Sequence, residues 1–438
     1  MKKSNVKRIS MFALFIGAAG IMVACGNSEE SSGSNESSDG NEANDVVEIE
    51  YFVASQAGEP DYELFIDAVN QFDEDHPNID LKIESVAHND YSTRLTTRAA
   101  GGELPDIFQI TPISALTNIV NSGSAGSISD FKDHWIDEGL LTEDSLSEFT
   151  MDGEVYALPI NSNPTQFIYY DVDMLSDVGY DSFPESYDEF IQLINDLNDA
   201  DITPISLGNS SPWVLQSVYL SGIADRFTGS DFLDQVQSGE RKFTDSDFVE
   251  ALEVIEELVE LEAFNEDLNT IDNQQMVNNF LQGNSAMVID GNWSSATIAE
   301  NSPDDKNIDI AIFPLGDSNT IPTTMGNVSA INSDLSEEKR AAVETFLKEV
   351  YNEDVFSGFL SLGKPVPGDI DIPEEDLDPL SVKMIELIQS ADQSPVYDAV
   401  LPTGIINTMQ NALQSITIGE YTAEEAAEEI QKEVTIEE

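Results

Sequence analysis

Between Val46 and Glu84 the apolar residues change period twice, and no other feature of the sequence constrains the fold as tightly. Val46 to Ala54 is rich in β-branched and aromatic residues and predicts a first strand. Tyr62, Phe65, Ile66, Val69 and Phe72 then recur at helical spacing until Pro77 stops them. Ile79, Leu81 and Ile83 alternate with Asp80, Lys82 and Glu84, the period of a half-buried strand. Strand, helix and strand within about 40 residues is the signal for a parallel sheet with crossover helices.

The pattern recurs downstream. Ser186-Tyr-Asp-Glu189 has the spacing of a capping box and opens a helix with Phe190, Leu193, Ile194 and Leu197 on one face. A short strand is expected over Ile202 to Leu207. Val249, Leu252, Ile255, Leu258 and Val259 predict another helix, and Thr422-Ala-Glu-Glu425 opens the last. No repeat of fixed period is visible, and no Pro/Gly linker divides the body. With 438 residues and 40% hydrophobic content there is enough apolar surface for a packed α/β body of more than one domain.

The N-terminus has a different composition. Lys2, Lys3, Lys7 and Arg8 precede an apolar run from Ile9 to Ala24, interrupted by Ser10 and shorter than the roughly 20 residues that span a bilayer. This is the layout of a secretory signal. The run ends at Val23-Ala24-Cys25, the sole cysteine, and resembles the lipobox of bacterial lipoproteins, with Met22 where that motif usually has Leu. The resemblance implies cleavage of residues 1–24 and acylation of Cys25. Residues 25–45 follow as a polar tether: between Gly26 and Asp45 the single apolar residue is Ala43. Such a segment cannot offset its ordering entropy and gives a reach of roughly 25 Å.

Asp and Glu number 84 against 18 Lys and Arg, a formal charge of −66. That field repels nucleic-acid phosphates and anionic lipid head groups, which excludes duplex binding and polybasic membrane adsorption. Acids dispersed over the whole body, as well as the tether, suit a saline or alkaline exterior. One cysteine forms no internal disulfide, and His76, His88 and His134 stand in polar stretches without a partner at metal-ligand spacing, so neither metal nor cofactor is expected. There is no nucleophile elbow, P-loop, dinucleotide fingerprint or zincin motif. Among so many acids, a pair at glycosidase separation carries no information.

The tryptophans carry more. Gly208-Asn-Ser-Ser-Pro-Trp213 is a polar loop just after a predicted strand end. Ala286-Met-Val-Ile-Asp-Gly-Asn-Trp293 is a strand running into a Gly-Asn turn. The carboxyl ends of strands are where open α/β sheets place ligands. Sugars lay C–H faces on indoles and offer hydroxyls to amides and carboxylates, for which Asn209, Asp290 and Asn292 are the local partners. The competing reading of each indole is core packing or loop anchoring, and packing is the expectation for Trp135.

Motifs in a fixed order then carry a resemblance across nearly the whole chain. They are Phe72-Asp-Glu-Asp-His-Pro-Asn-Ile79, Gly102-Glu-Leu-Pro-Asp-Ile107, and Asp152-Gly-Glu-Val-Tyr-Ala-Leu-Pro159 followed by Tyr169-Tyr170-Asp171. Pro184-Glu-Ser-Tyr-Asp-Glu-Phe190, Ala286-Met287 to Gly291-Asn-Trp293, and Gly419-Glu-Tyr-Thr-Ala-Glu-Glu425 complete the series. Tyr187 replaces a usual Trp, and Asp171 a usual Asn. The sequence resembles the carbohydrate-binding family of extracellular solute-binding proteins of ABC importers, which includes maltose- and raffinose-type receptors.

The resemblance implies a two-lobe, type II periplasmic-binding-protein fold with the ligand cleft between lobes. Residues 46–160 and 315–365 would form lobe 1, and 161–314 and 366–438 lobe 2. Crossings would fall near Pro159-Ile160, Phe313-Pro314 and Lys364-Pro365. It implies sugar contacts from Trp213, Trp293 and Asn163, with Gln109, Thr111 and Gln56 from lobe 1 and Gly326 and Asn327 near the ligand. Pro402-Thr-Gly-Ile-Ile-Asn407 lacks the family's C-terminal cleft aromatic. The implied protein is a monomeric, non-enzymatic receptor on the outer face of a Gram-positive cell membrane, held by its lipid. It would deliver a mono- or oligosaccharide to an ABC permease. A receptor for a polyol or compatible solute is the alternative, and a surface glycosidase a third.

Overall fold

The computed structural model describes residues 46–434 apart from 56, 58, 111–113, 304–305, 317–318, 327 and 371–376, and leaves out the side chains of His88 and Asn89. Its first elements follow the change of period: strand Val47–Val53, helix Pro60–Asp75 with Pro60 in the first turn, and strand Ile79–Ser85. Phe65, Val69 and Phe72 form the buried stripe of that helix, and the two strands pair in parallel from Val47 beside Ile79 to Val53 beside Ser85. This strand–helix–strand unit seeds a sheet in the order Ile79–Ser85, Val47–Val53, Ile107–Ile110, Val328–Asn332, Ala125–Gly126, with Ala157–Leu158 also against Val328–Asn332. Val328–Asn332 runs antiparallel to its neighbours, the mark of a strand that arrives from elsewhere in the chain.

A second sheet has the order Ile205–Ser206, Met287–Asp290, Phe167–Asp171, Ile308–Ile312. The strand expected over Ile202 to Leu207 is only the two residues that pair with Met287 and Val288. Helix Tyr187–Asp199 begins where Ser186 accepts from the Glu189 backbone, and its buried face is Phe190, Leu193, Ile194 and Leu197. The Glu189 side chain reaches the Glu185 N–H instead of closing the box on Ser186. At the last helix, Ala423–Lys432, Thr422 and Glu425 make the full reciprocal box.

Buried apolar side chains gather in two clusters. One draws on residues between Ile49 and Ile160 and again between Val328 and Phe359; the other spans Phe167 to Ile321 and Met384 to Ile430. In the first, the Tyr51 hydroxyl meets those of Ser329 and Tyr351 at 2.6 Å, and the fully buried Trp135 donates to the Tyr351 carbonyl at 2.8 Å.

Three passages of chain run between the clusters and lie together. Asn161–Pro164 and Thr320–Gly326 pair antiparallel, Asn161 beside Gly326 and Pro164 beside Thr323. Pro365 joins them, its carbonyl accepting from the Ser162 backbone at 2.7 Å. The resemblance puts the middle crossing at Phe313-Pro314, with residues from 315 onward in lobe 1. In the structure Phe313, Leu315 and Ile321 are buried in the second cluster, so that passage is Thr320–Gly326. Pro314 follows the end of the strand Ile308–Ile312 without marking the place where the chain changes core.

Candidate functional site

The strand Met287–Asp290 is central in its sheet and wholly buried, flanked in parallel by Ile205–Ser206 and antiparallel by Phe167–Asp171. At its carboxyl end the chain turns through Gly291 and Asn292 into the helix Trp293–Asn301. Several contacts fix this turn. The Tyr169 hydroxyl, from the neighbouring strand, donates to the Gly291 carbonyl at 2.9 Å. Asp290 accepts from Asn273 Nδ2 at 2.9 Å and from Ser294 Oγ at 2.6 Å. Gly291 is required sterically: a Cβ there would stand 2.2 Å from the Trp293 ring, which folds back over it.

Trp213 comes to the same place from another element. It precedes the π-helical segment Val214–Leu220, and its ring meets Trp293 edge to face at 5.7 Å between centroids and 65° between planes. Both indoles are half-buried. Sequence separation of 80 residues has closed into an aromatic pair, the geometry in which each ring leaves part of a face for another partner.

Asp290 has no exposed surface, and burial pushes its carboxyl up to about 6, against the pull of the Ser294 and Asn273 hydrogen bonds. Asn292, equally buried, turns away from the indoles. Its Nδ2 donates to the Ser162 carbonyl at 3.0 Å and to that of Gly363 at 3.5 Å, while its backbone N–H donates to the Pro164 carbonyl at 3.0 Å. The sequence alone groups Asn292 with the sugar-facing amides; the structure gives its donors to the passages.

The other candidates fall in three settings. Asn163 lies in the passage strand opposite Thr324, its Oδ1 accepting from Asn161 at 2.8 Å. Gly326 lies against that side chain, where a Cβ would stand 2.1 Å from Asn163 Nδ2. Asn209 is fully buried behind the Trp213 loop, donating to Asn269 at 2.7 Å, its carbonyl taking Gln414 at 2.9 Å. Gln109, in the first sheet, accepts from the Ala54 backbone at 2.7 Å and so props the segment that follows the first strand. Gln56, Thr111, Asn327 and Cys25 lie outside the described residues. Among the described residues no group of His, Cys, Asp and Glu is placed to hold a metal, and no helix is long and apolar enough to cross a membrane. A hollow of about 610 Å³ on the outer strand of the second sheet, lined by Tyr170, Phe183, Asp309, Phe313 and Lys383, includes none of the candidates.

The structure also reveals residues that no local pattern flagged. Helix Ser221–Thr228 carries Arg226, whose guanidinium donates to Gln166 Oε1 at 2.7 Å and to the Gly222 and Thr320 carbonyls at 2.6 and 3.2 Å. Gln166 and Thr320 adjoin two of the passages. Lys364 in the third passage, nearly buried, pairs with Asp61 of the first helix at 2.8 Å. Away from the passages, Ser114 Oγ donates to the Asp398 carbonyl at 2.9 Å and Gln274 Nε2 to Glu59 Oε1 at 3.1 Å, each bond joining the two halves.

Residues 56–355 match the family described as bacterial extracellular solute-binding protein. The chain belongs to that family. A curated relative, the multiple sugar-binding protein of Streptococcus mutans, is 26% identical over 220 residues, 49% of this chain. The match spans 46% of that relative's length. Among solved structures, a chitin oligosaccharide binding protein superposes with a TM-score of 0.82 at 23% identity, over 89% of this chain and 98% of that one. The T. maritima protein MalE3, maltose bound, gives 0.74 at 19% identity over 88% and 98%. The solute-binding protein RafE in complex with raffinose gives 0.72 at 19%, again over 88% and 98%. The fold of this family member is thus the mixed α/β, type II fold of periplasmic solute-binding proteins.

Proposed function

We propose that this solute-binding protein is the receptor of a carbohydrate ABC importer. It captures a mono- or oligosaccharide between two lobes that close over it, and hands it to the membrane-spanning permease. The observation that carries the reading is the Trp213–Trp293 pair at the carboxyl end of a central strand, next to the passages. Two part-covered indoles at about 1–2 kcal/mol each, with several hydrogen bonds at roughly 1 kcal/mol, amount to about −8 kcal/mol, or micromolar affinity. The names of the similar proteins, binders of raffinose, maltose and chitin oligosaccharide, support the ligand class. Their family also supports a binding role over an enzymatic one.

In this reading lobe 1 holds the first cluster and lobe 2 the second, with Phe313, Leu315 and Ile321 on the lobe 2 side. The three adjacent passages form the hinge. Trp213, Trp293 and Asn163 contact the sugar from lobe 2 and the hinge, with Asp290 and Asn209 as polar support. Gln109, Gln56 and Thr111 face it from lobe 1, and Gly326 and Asn327 keep the hinge strand close to it. Cys25 carries the lipid that holds the monomer at the outer face of the membrane, residues 25–45 being the tether.

The test is a thermal-shift screen of the full chain in high salt against mono-, di- and trisaccharides, chitin oligosaccharides, polyols and betaines. A sugar in hundredfold excess over its Kd stabilises the folded state by about 2.7 kcal/mol and raises the midpoint. In calorimetry with that sugar, Trp293→Ala weakens binding tenfold or more while the variant stays folded. Unchanged affinity would take Trp293 out of the site, and a response to betaines or polyols alone would overturn the sugar.

A further inference from the structure

Asn292 stands between two things that the proposed function needs to connect, the indole pair and the hinge. On one side it follows Asp290 and Gly291 and precedes Trp293 in a turn fixed by Tyr169, Asn273 and Ser294. On the other its backbone and side-chain amides reach three carbonyls, those of Ser162, Pro164 and Gly363, in two of the three passages. The third passage, Thr320–Gly326, is paired to the first along its length. Ser162 is itself tied to Pro365, so the carbonyl that Asn292 grips belongs to the residue at which two passages meet.

The chemistry leaves one orientation for this amide. Carbonyl oxygens only accept, so Nδ2 must face Ser162 and Gly363, and Oδ1 would be repelled there. The residue has no exposed surface, so water cannot substitute for these bonds. Aspartate would place a charge against the two carbonyl oxygens of Ser162 and Gly363, and an apolar residue would leave both short of a donor. The turn itself is stiff: Trp293 cannot shift independently while Gly291 is pinned through its carbonyl and packed under the indole. A movement of the indole is therefore a movement of Asn292.

We propose that Asn292 is a positioning residue that couples occupancy of the indole site to the lobe-joining passages. It acts through Trp293 on one side and through Ser162 and Gly363 on the other, without touching ligand. This rests on the hinged-receptor reading above, and it adds what transmits the ligand's presence to the hinge.

The experiment is amide hydrogen exchange on the full chain, wild type and Asn292→Ala, with and without raffinose, maltose or chitobiose as probes. In the free variant, exchange of Asn161 to Asn163 and of the Thr320–Gly326 strand is expected to speed up tenfold or more, with the Phe167–Asp171 strand unchanged. With whichever probe binds wild type, protection of the passages is lost in the variant, although the probe still quenches tryptophan fluorescence. Unchanged exchange in the passages overturns the proposal, and so does faster exchange with probe-induced protection intact, which would make Asn292 a structural tie alone. If the alanine variant unfolds, Asn292→Ser, which keeps one donor, is expected to show the intermediate effect, and wild-type exchange there overturns the proposal equally. Silence of all three probes on wild type would count against the sugar reading, and the free-protein comparison would then decide separately: passages that exchange in the variant as in wild type overturn the proposal.

Discussion

Asp290 brings a carboxylate to a position with no exposed surface, three residues before an indole proposed to touch ligand. Burial is the larger influence on it, and the hydrogen bonds from Ser294 and Asn273 only partly compensate, so its pKa stands at about 6. The same buried charge helps push the Tyr169 and Tyr219 hydroxyls well above their ordinary value, after the larger effect of their own burial. An aspartate in the unfolded chain titrates near 4, so between about pH 4 and 6 the folded state binds the proton more tightly. Asp290 thus adds stability as pH falls through 6, an increment complete by about pH 4, whereas a salt-bridged acid loses stability over acid pH. A difference of two pKa units corresponds to roughly 3 kcal/mol. Asp290→Asn removes this one contribution, leaving every other acid in place. Urea unfolding of variant and wild type should show their stability difference moving by up to about 3 kcal/mol in the variant's favour between pH 4 and 7. A difference flat with pH would mean that Asp290 is ionised without penalty where it sits.

Helix Ser221–Thr228 shows how one element can hold two strands that leave its own core. Gln166, just past the first passage, has φ of 67°, in the left-handed region that non-glycine residues enter at a cost of about 1–2 kcal/mol. It is held there by its own Nε2 on the Tyr219 carbonyl at 2.9 Å and by Arg226 on its Oε1. Gly222 makes the approach possible, since a Cβ would stand 2.0 Å from that Oε1. Thr320, which begins the second passage, donates to Asp225 at 2.6 Å while its carbonyl accepts from Arg226. Burial lowers the Arg226 pKa to about 10, so the guanidinium stays charged at neutral pH. Arg226→Met keeps the bulk and removes every donor, leaving several buried acceptors bare; we expect a loss of about 3 kcal/mol or more in urea unfolding. Arg226→Lys, with a single point of donation, should fall between the two, and equal stability of Met and Lys variants would argue that packing is what matters there. The sequence could be read for elements whose signal is local: the stripe of Phe65, Val69 and Phe72, the alternation of Ile79 to Glu84, the Thr422 and Glu425 box. It also placed Trp213 and Trp293 at strand ends. It could not show Arg226 on Gln166 and Thr320, or Asn292 on Ser162 and Gly363, because those bonds join residues 60 to 130 positions apart and depend on how the elements dock. For the same reason it put the middle passage at Pro314. A proline marks where a strand ends, and only the packing of Leu315 and Ile321 tells which core the chain is still in.

At the scale of the whole molecule, charge separates this chain from a typical α/β protein of its size. The cations of the body are largely matched: Arg98 sits between Glu50 and Glu84, Arg241 between Asp245 and Asp247, and Lys306, Lys339 and Lys364 each against an aspartate. With 18 basic residues against 84 acidic ones, such pairing takes up most of the cations among the described residues and leaves a large excess of acids without one. Self-repulsion of that kind opposes the compact state, and it also opposes the approach of two lobes that are both acidic. Added salt shortens the range of the repulsion from about 30 Å at 0.01 M to about 3 Å at 1 M. Unfolding free energy should therefore rise by about 2 kcal/mol or more between these concentrations of sodium chloride, most of it before 0.5 M, where screening is already nearly complete. Sucrose, which favours compact states by exclusion and screens nothing, separates the two causes: its effect is expected to grow steadily with concentration and to start from the low stability of the salt-free protein. A stability indifferent to salt in the low range would mean that the acids are spaced widely enough to ignore one another. In that case the acidity would serve hydration of the surface and play no part in the balance between open and closed forms.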